Sequence, residues 1–175
     1  MNKTVTIFGS SLPKPGDEEY EQAYRLGKYL GNAGINVCSG GYQGIMDAVS
    51  KGAVESGTNA IGITVDIFGA VPSKYLSEEI VTNSLFERLG KLLEIGDAFI
   101  VLPGGTGTML ELTLVWEKMN KNLLHEKPFA CVGEMWENIV TEMEQRIIFE
   151  KRKIGLIRLF ENINDCADFI IKKLA

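Results

Sequence analysis

The run Pro103-Gly104-Gly105-Thr106-Gly107-Thr108 is where the chain's chemistry concentrates. It follows an apolar stretch, Ala98-Phe99-Ile100-Val101-Leu102, and opens a pattern with helical spacing. Glycines let a backbone approach a ligand without Cβ clashes. Exposed amides at a helix start, with the helix dipole behind them, attract an anion. Gly104, Gly105, Thr106, Gly107 and Thr108 are therefore candidate phosphate-binding residues. Thr108 can cap the helix or offer its hydroxyl to a phosphate oxygen. The run is neither a Walker loop, since no Gly-Lys-Ser/Thr ending follows, nor a GxGxxG turn. The bland alternative is a tight turn without a ligand. Glu111, three residues after Thr108, also has two readings. It can close a capping box onto Thr108, or it can hold a carboxylate one turn above the phosphate loop, against ribose hydroxyls or a sugar cation. Arg88 falls on the preceding helical pattern, with Lys91 at i+3 and Asn83-Ser84 as an N-cap signal. From there it can meet a bound phosphate or base; a solvated charge is the competing account.

Strand-like and helical patterns alternate along the chain. Strands are expected at 4–8, 35–38, 60–65, 98–102, 129–132 and 156–160. Helices are expected at 17–32, 45–55, 84–95, 109–121, 135–150 and 165–174, from apolar residues at helical spacing and glycine stops. Residues 66–77 are irregular, and a loop that long in a compact domain is often functional. Alternation of this kind predicts βαβ units and a mainly parallel sheet. The expected fold is a single α/β domain over 1–175, Rossmann-like and doubly wound, with helices on both faces. Ligands of such sheets bind outside the carboxyl ends of the strands. Two more unusual turns fall there: Gly9-Ser10-Ser11, and Ser39-Gly40-Gly41-Tyr42-Gln43-Gly44.

The segment Pro103-Gly104-Gly105-Thr106-Gly107-Thr108-Met109-Leu110-Glu111 resembles the PGGxGTxxE signature of the LONELY GUY family of cytokinin riboside 5′-monophosphate phosphoribohydrolases. Arg88 stands fifteen residues before the motif proline, as the family's arginine does. Phe8-Gly9-Ser10-Ser11 is similar to the family's first turn, and Gly40-Gly41-Tyr42-Gln43-Gly44-Ile45-Met46 to its GGxxGLM segment. The resemblance runs from about Val5 to Pro128. The chain departs from it where Leu89 follows Arg88, where Leu110 precedes Glu111, and in Gly-Gly-Tyr at the second turn. The resemblance implies cleavage of a nucleoside monophosphate into base and ribose 5-phosphate, with Arg88 and Glu111 catalytic. It implies nucleotide contacts from Ser10, Ser11, Gly40, Gly41, Gly44 and Met46 beside the 104–108 turn. It also implies a homodimer; the helical patterns at 84–95 and 109–121 carry the apolar residues Leu85, Phe86, Leu92, Leu114, Val115 and Trp116, which a partner would cover, with burial in the monomer's own core as the competing account. Molybdenum-cofactor carrier proteins share the fold and a similar glycine motif, so a non-catalytic carrier is the alternative. The label "lysine decarboxylase" used for such chains finds no support, because no pyridoxal-binding lysine constellation is recognisable.

Composition narrows the rest. The 175 residues are 45% hydrophobic and 23% charged, with a net charge of −5, which suits a globular domain and disfavours a nucleic-acid polymer as partner. The one dense basic run, Lys151-Arg152-Lys153, reads as solvated surface. Cys38, Cys131 and Cys166 are too far apart for a zinc motif, and two of them sit in strand-like runs as small hydrophobes. His125 is the only histidine and falls in an expected loop, a poor place for a catalytic triad. No cofactor or metal is called for. No signal-peptide pattern or membrane-spanning apolar run is visible, and a cytoplasmic location is expected.

Overall fold

A computed structural model describes residues 2–175. Seven parallel strands form one sheet: β1 (Thr4–Phe8), β2 (Asn36–Ser39), β3 (Ala60–Val65), β4 (Glu78–Thr82), β5 (Ala98–Val101), β6 (Phe129–Val132) and β7 (Arg158–Phe160). Six α-helices connect them: α1 (Glu18–Asn32), α2 (Ile45–Glu55), α3 (Leu85–Ile95), α4 (Thr106–Asn120), α5 (Glu134–Phe149) and α6 (Ile163–Leu174). A short 3-10 turn, Asp66–Phe68, follows β3.

The sheet order is β4-β3-β2-β1-β5-β6-β7. The chain starts in the middle, winds outward to β4, then crosses back to lay β5 beside β1. The direction of winding reverses between β1 and β5, the switch point where such sheets open a crevice. Strand alternation builds a core on each face. Val5, Ile7, Ile100 and Leu102 pack under α1, α2 and α6. Phe8, Phe99 and Val101 pack under α3, α4 and α5. On the second face the rings of Phe8, Phe99 and Phe129 form a row across β1, β5 and β6, with centroids 6.2 and 6.0 Å apart. Each fully buried ring contributes about 1.5–3 kcal/mol, so the strands that carry the two turns at the switch point rest on a stiff base.

One strand was not expected. Residues 78–82 read Glu-Glu-Ile-Val-Thr, and no apolar run marks them. They form the edge strand β4, paired only with β3 in the register Ile61↔Glu78 to Val65↔Thr82. An edge strand has one neighbour and tolerates exposed charges, so its pattern is weak and the pairing itself creates it. The second shift is at α4, which begins at Thr106 and not at 109. The 106–108 part of the glycine-rich run is thus the first helical turn, with Gly105 at the N-cap. Ser84 caps α3 as its sequence suggests, accepting from the Glu87 amide at 3.2 Å.

Candidate active site

The turn after β1 and the turn after β5 meet at the switch point. Ser10 N donates to Pro103 O at 3.0 Å, and Ile45 N donates to Ser10 O at 2.8 Å, which ties in the third turn. Several glycines permit this close fit. Gly44 has φ +71, and a Cβ there would lie 2.4 Å from Ser10 O. A Cβ on Gly104 would lie 2.2 Å from Thr108 Oγ1, and one on Gly40 would lie 1.8 Å from Arg88 Nη2. Gly41 packs its backbone against Gly62. Gly44 and Gly104 therefore join the turns to one another, Gly40 packs against Arg88 of α3 and Gly41 against β3; none of the four lines the cleft beside them. A Cβ on Gly105 or Gly107 would meet nothing within 4 Å, so there the backbone stands open to a ligand.

That cleft has a volume of about 600 Å³. Of the residues singled out in the sequence, Ser10, Ser11, Met46, Arg88, Gly105, Thr106, Gly107, Thr108 and Glu111 line it. The first bond of the α4 ladder runs from Met109 N to Gly105 O at 3.0 Å. The amides of Thr106, Gly107 and Thr108 thus have no partner in the helix, as the first turn of any helix requires. They stand where the positive end of the helix dipole is strongest.

Glu111 lies in the second turn of α4, on the face toward α3. Its carboxylate does not reach back to the Thr108 backbone, and no capping box forms. Thr108 is inside the helix and does not cap it. Glu111 Oε1 instead sits 3.5 Å from Arg88 Nη1. Arg88 donates from Nε to Ile63 O at 2.7 Å. Its guanidinium carbon is 5.7 Å from the ring centroids of both Tyr42 and Phe68. Both members of the pair are nearly out of solvent, at 6% exposure for Arg88 and 9% for Glu111. Burial pushes the Glu111 carboxyl up to about 7; the Arg88 charge pulls the other way and does not cancel it. The site therefore holds a carboxylate that changes charge near neutral pH beside a fixed guanidinium, a combination typical of functional clefts.

Other sequence candidates fall outside. Lys91 pairs with Glu94 at 2.8 Å on the exposed side of α3. His125 is exposed, away from the cleft. Leu92, Val115 and Trp116 belong to the core of the single chain, whereas Phe86 is 85% exposed. The sequence reading missed Tyr42 and Phe68, which flank Arg88 with centroids 5.9 Å apart. Tyr42 anchors itself by donating to Val65 O at 2.9 Å. Its place within the second glycine turn and the length of the 66–77 segment were the available signals. Leu12, Leu85 and Leu110 give the cleft an apolar wall. Among the described residues no group of three or more His, Cys, Asp or Glu side chains could hold a metal, and no helix is long and apolar enough to cross a membrane.

Fold and cleft together define a Rossmann-like α/β protein with the N-terminus of a helix, α4, facing a cleft at its switch point. The model of the family described as "possible lysine decarboxylase" matches residues 46–170. The chain belongs to this family, as its resemblance to the LONELY GUY proteins implies. It is 32% identical to a cytokinin riboside 5′-monophosphate phosphoribohydrolase of Rhodococcoides fascians, over 75% of this chain and 68% of that protein. It is 31% identical to a protein of the same description from Mycobacterium tuberculosis, over 74% and 70%. Among solved structures, the molybdenum cofactor binding protein of Rippkaea orientalis superimposes with a TM-score of 0.78 at 19% identity, over 100% of this chain and 99% of that one. That likeness is one of fold. No lysine lines the cleft, so the residues present do not fit the pyridoxal chemistry that a lysine decarboxylase would need.

Proposed function

We propose that the protein is a nucleoside 5′-monophosphate N-glycosidase, which hydrolyses its substrate to a free purine or cytokinin base and ribose 5-phosphate. The observation that carries this reading is the buried Arg88–Glu111 pair, 3.5 Å apart, in a cleft whose open end is the 105–108 helix start. Thr106 to Glu111 spans about 7 Å of helix rise, a length suited to a phosphorylated pentose laid along α4. The phosphate meets the free amides of residues 106–108, and the anomeric carbon comes beside Glu111. The base lies toward the apolar wall and the aromatic rings of Tyr42 and Phe68. The two relatives, whose names describe phosphoribohydrolases, support the same assignment.

The proposed chemistry needs little machinery. The C1′–N bond breaks, its electron pair leaves with the base, and the sugar becomes cation-like. The ionised Glu111 carboxylate stabilises that charge in a low-dielectric site and orients the water that adds to C1′. That water gives up a proton as the departing base takes one. Arg88, fixed by Ile63 O and by Glu111, stands next to the leaving base and not at the phosphate. Binding energy from the phosphate turn, remote from the reacting bond, holds the sugar in place.

Incubation with AMP tests this directly. Adenine and ribose 5-phosphate, separated by chromatography, should appear in equal amounts. If AMP binds tightly and is recovered intact, along with every other nucleoside monophosphate tried, the chain is a binding or carrier protein that uses the same cleft for recognition alone.

A further inference from the structure

A second cleft, of about 520 Å³, lies on the other side of the Ser11–Leu12 turn and shares only those two residues with the first. Its charged lining is Lys14, Lys51, Lys74 and Asp47. Asp47 is buried on α2 and both of its oxygens are engaged: Tyr20 Oη donates at 2.6 Å and Ser73 Oγ at 2.7 Å. Lys51 stands one turn beyond Asp47, at the spacing where side chains of opposite charge usually pair. It does not pair. Among the described residues, every lysine ion pair belongs to Lys3, Lys91, Lys121 or Lys153, and none to the three lysines of this cleft. Lys51 Nζ lies 5.1 Å from the Tyr24 ring centroid and 5.8 Å from that of Tyr75, and Lys74 Nζ lies 5.1 Å from the Tyr75 centroid. The neighbouring acids are turned elsewhere. Asp17 accepts from the Lys14 amide at 2.7 Å, Glu21 from the Gly16 amide at 3.1 Å, and Glu55 from Tyr24 Oη at 2.6 Å. In a chain of net charge −5, three lysines without an ion pair lining one concavity make a local positive field.

We propose that this cleft binds a compact inorganic polyanion of two or more phosphate groups, held by Lys14, Lys51 and Lys74. Lysine binds phosphate as a point charge with rotatable donors, without the planar match that arginine needs. Three such charges against the one carboxylate of Asp47 leave a positive excess, and a cleft of about 520 Å³ has room for more than one phosphate group. A nucleoside polyphosphate fits less well, because two ammoniums already lie against the Tyr75 ring, where a base would stack. The site is separate from the nucleotide cleft and does not depend on the hydrolysis proposed above.

Calorimetry with inorganic pyrophosphate at low ionic strength tests it. Wild type should bind, and binding should weaken as salt is added. The Lys51→Met/Lys74→Met double variant, which keeps the aliphatic stems, should bind at least tenfold more weakly. Lys51→Arg/Lys74→Arg should retain binding, and circular dichroism should show both variants folded. Gly105→Val, which blocks the first cleft, should bind pyrophosphate as wild type does. The proposal is overturned if wild type shows no binding, if the methionine variant binds equally well, or if Gly105→Val abolishes binding and so places the probe at the other turn. ADP binding much more tightly than pyrophosphate would overturn the inorganic assignment.

Discussion

Glu111→Gln probes the proposed mechanism most directly, because it removes a charge and keeps the shape. Holding the ionised carboxylate in its buried place has a cost that can be worked out. Raising its proton affinity from the ordinary 4.5 to about 7 disfavours the charged form by about 3 kcal/mol, at about 1.4 kcal/mol per tenfold change. A group raised in the folded state contributes stability that is full below about pH 4.5 and is lost as pH rises through about 7. Glutamine has no such dependence. At pH 8 the variant should therefore melt higher than wild type. At about 2–4 °C per kcal/mol for a domain of this size, the gain is several degrees, the attraction of Arg88 being already contained in the net shift. The gain should shrink as pH falls toward 5. Turnover should move the other way. The charge that costs the empty site about 3 kcal/mol is the charge that stabilises the sugar cation, so kcat should fall by about two to four orders of magnitude, with nucleotide affinity changed little. In wild type, kcat/KM should climb through an acidic limb near pH 7, and that limb should vanish in the variant. Thermal melts between pH 5 and 8, with chromatographic rates on AMP, give both readouts. Equal rates for the two proteins, or an acidic limb that survives the substitution, would refute the role given to Glu111.

Arg88→Ala should weaken both nucleotide binding and turnover, since the guanidinium meets the ligand in both states, and calorimetry and initial rates separate the two effects. The glycines of the phosphate turn should divide into two kinds. Gly105→Val, with open space at its Cβ, should stay folded, with at most a small drop in melting temperature because valine caps a helix less well than glycine, and lose nucleotide affinity; Gly104→Val, 2.2 Å from Thr108 Oγ1, should melt well below it. Unchanged calorimetric affinity in a folded Gly105→Val protein removes the phosphate cradle. Ser84→Ala should lower stability by about 1 kcal/mol through loss of the α3 cap, measured by urea unfolding. Light scattering at micromolar concentration should show a homodimer that Phe86→Glu weakens; a monomer in wild type would end that expectation.

The alternation of apolar runs with helical spacing was enough to call a parallel, doubly wound sheet, because strands covered on both faces are apolar throughout, as Ala98–Val101 is. The glycine-rich run and its place after that strand were equally legible, since turn and breaker signals are properties of neighbouring residues. The pairing of Arg88 with Glu111 was not. Twenty-three positions separate them, and the same Glu111 also satisfied a capping pattern with Thr108. Only the crossing of α3 and α4 over the second face of the sheet, and the start of α4 at Thr106, chose between the two. The family resemblance pointed to Gly40 and Gly44, and the run itself to Gly104, but that a Cβ there would meet Arg88, Ser10 or Thr108 is visible only in the fold. Strand β4 exists because β3 offers an edge, and the raised Glu111 proton affinity exists because the surrounding elements bury its carboxyl. Both depend on what is near in space, and a one-dimensional pattern carries no record of that.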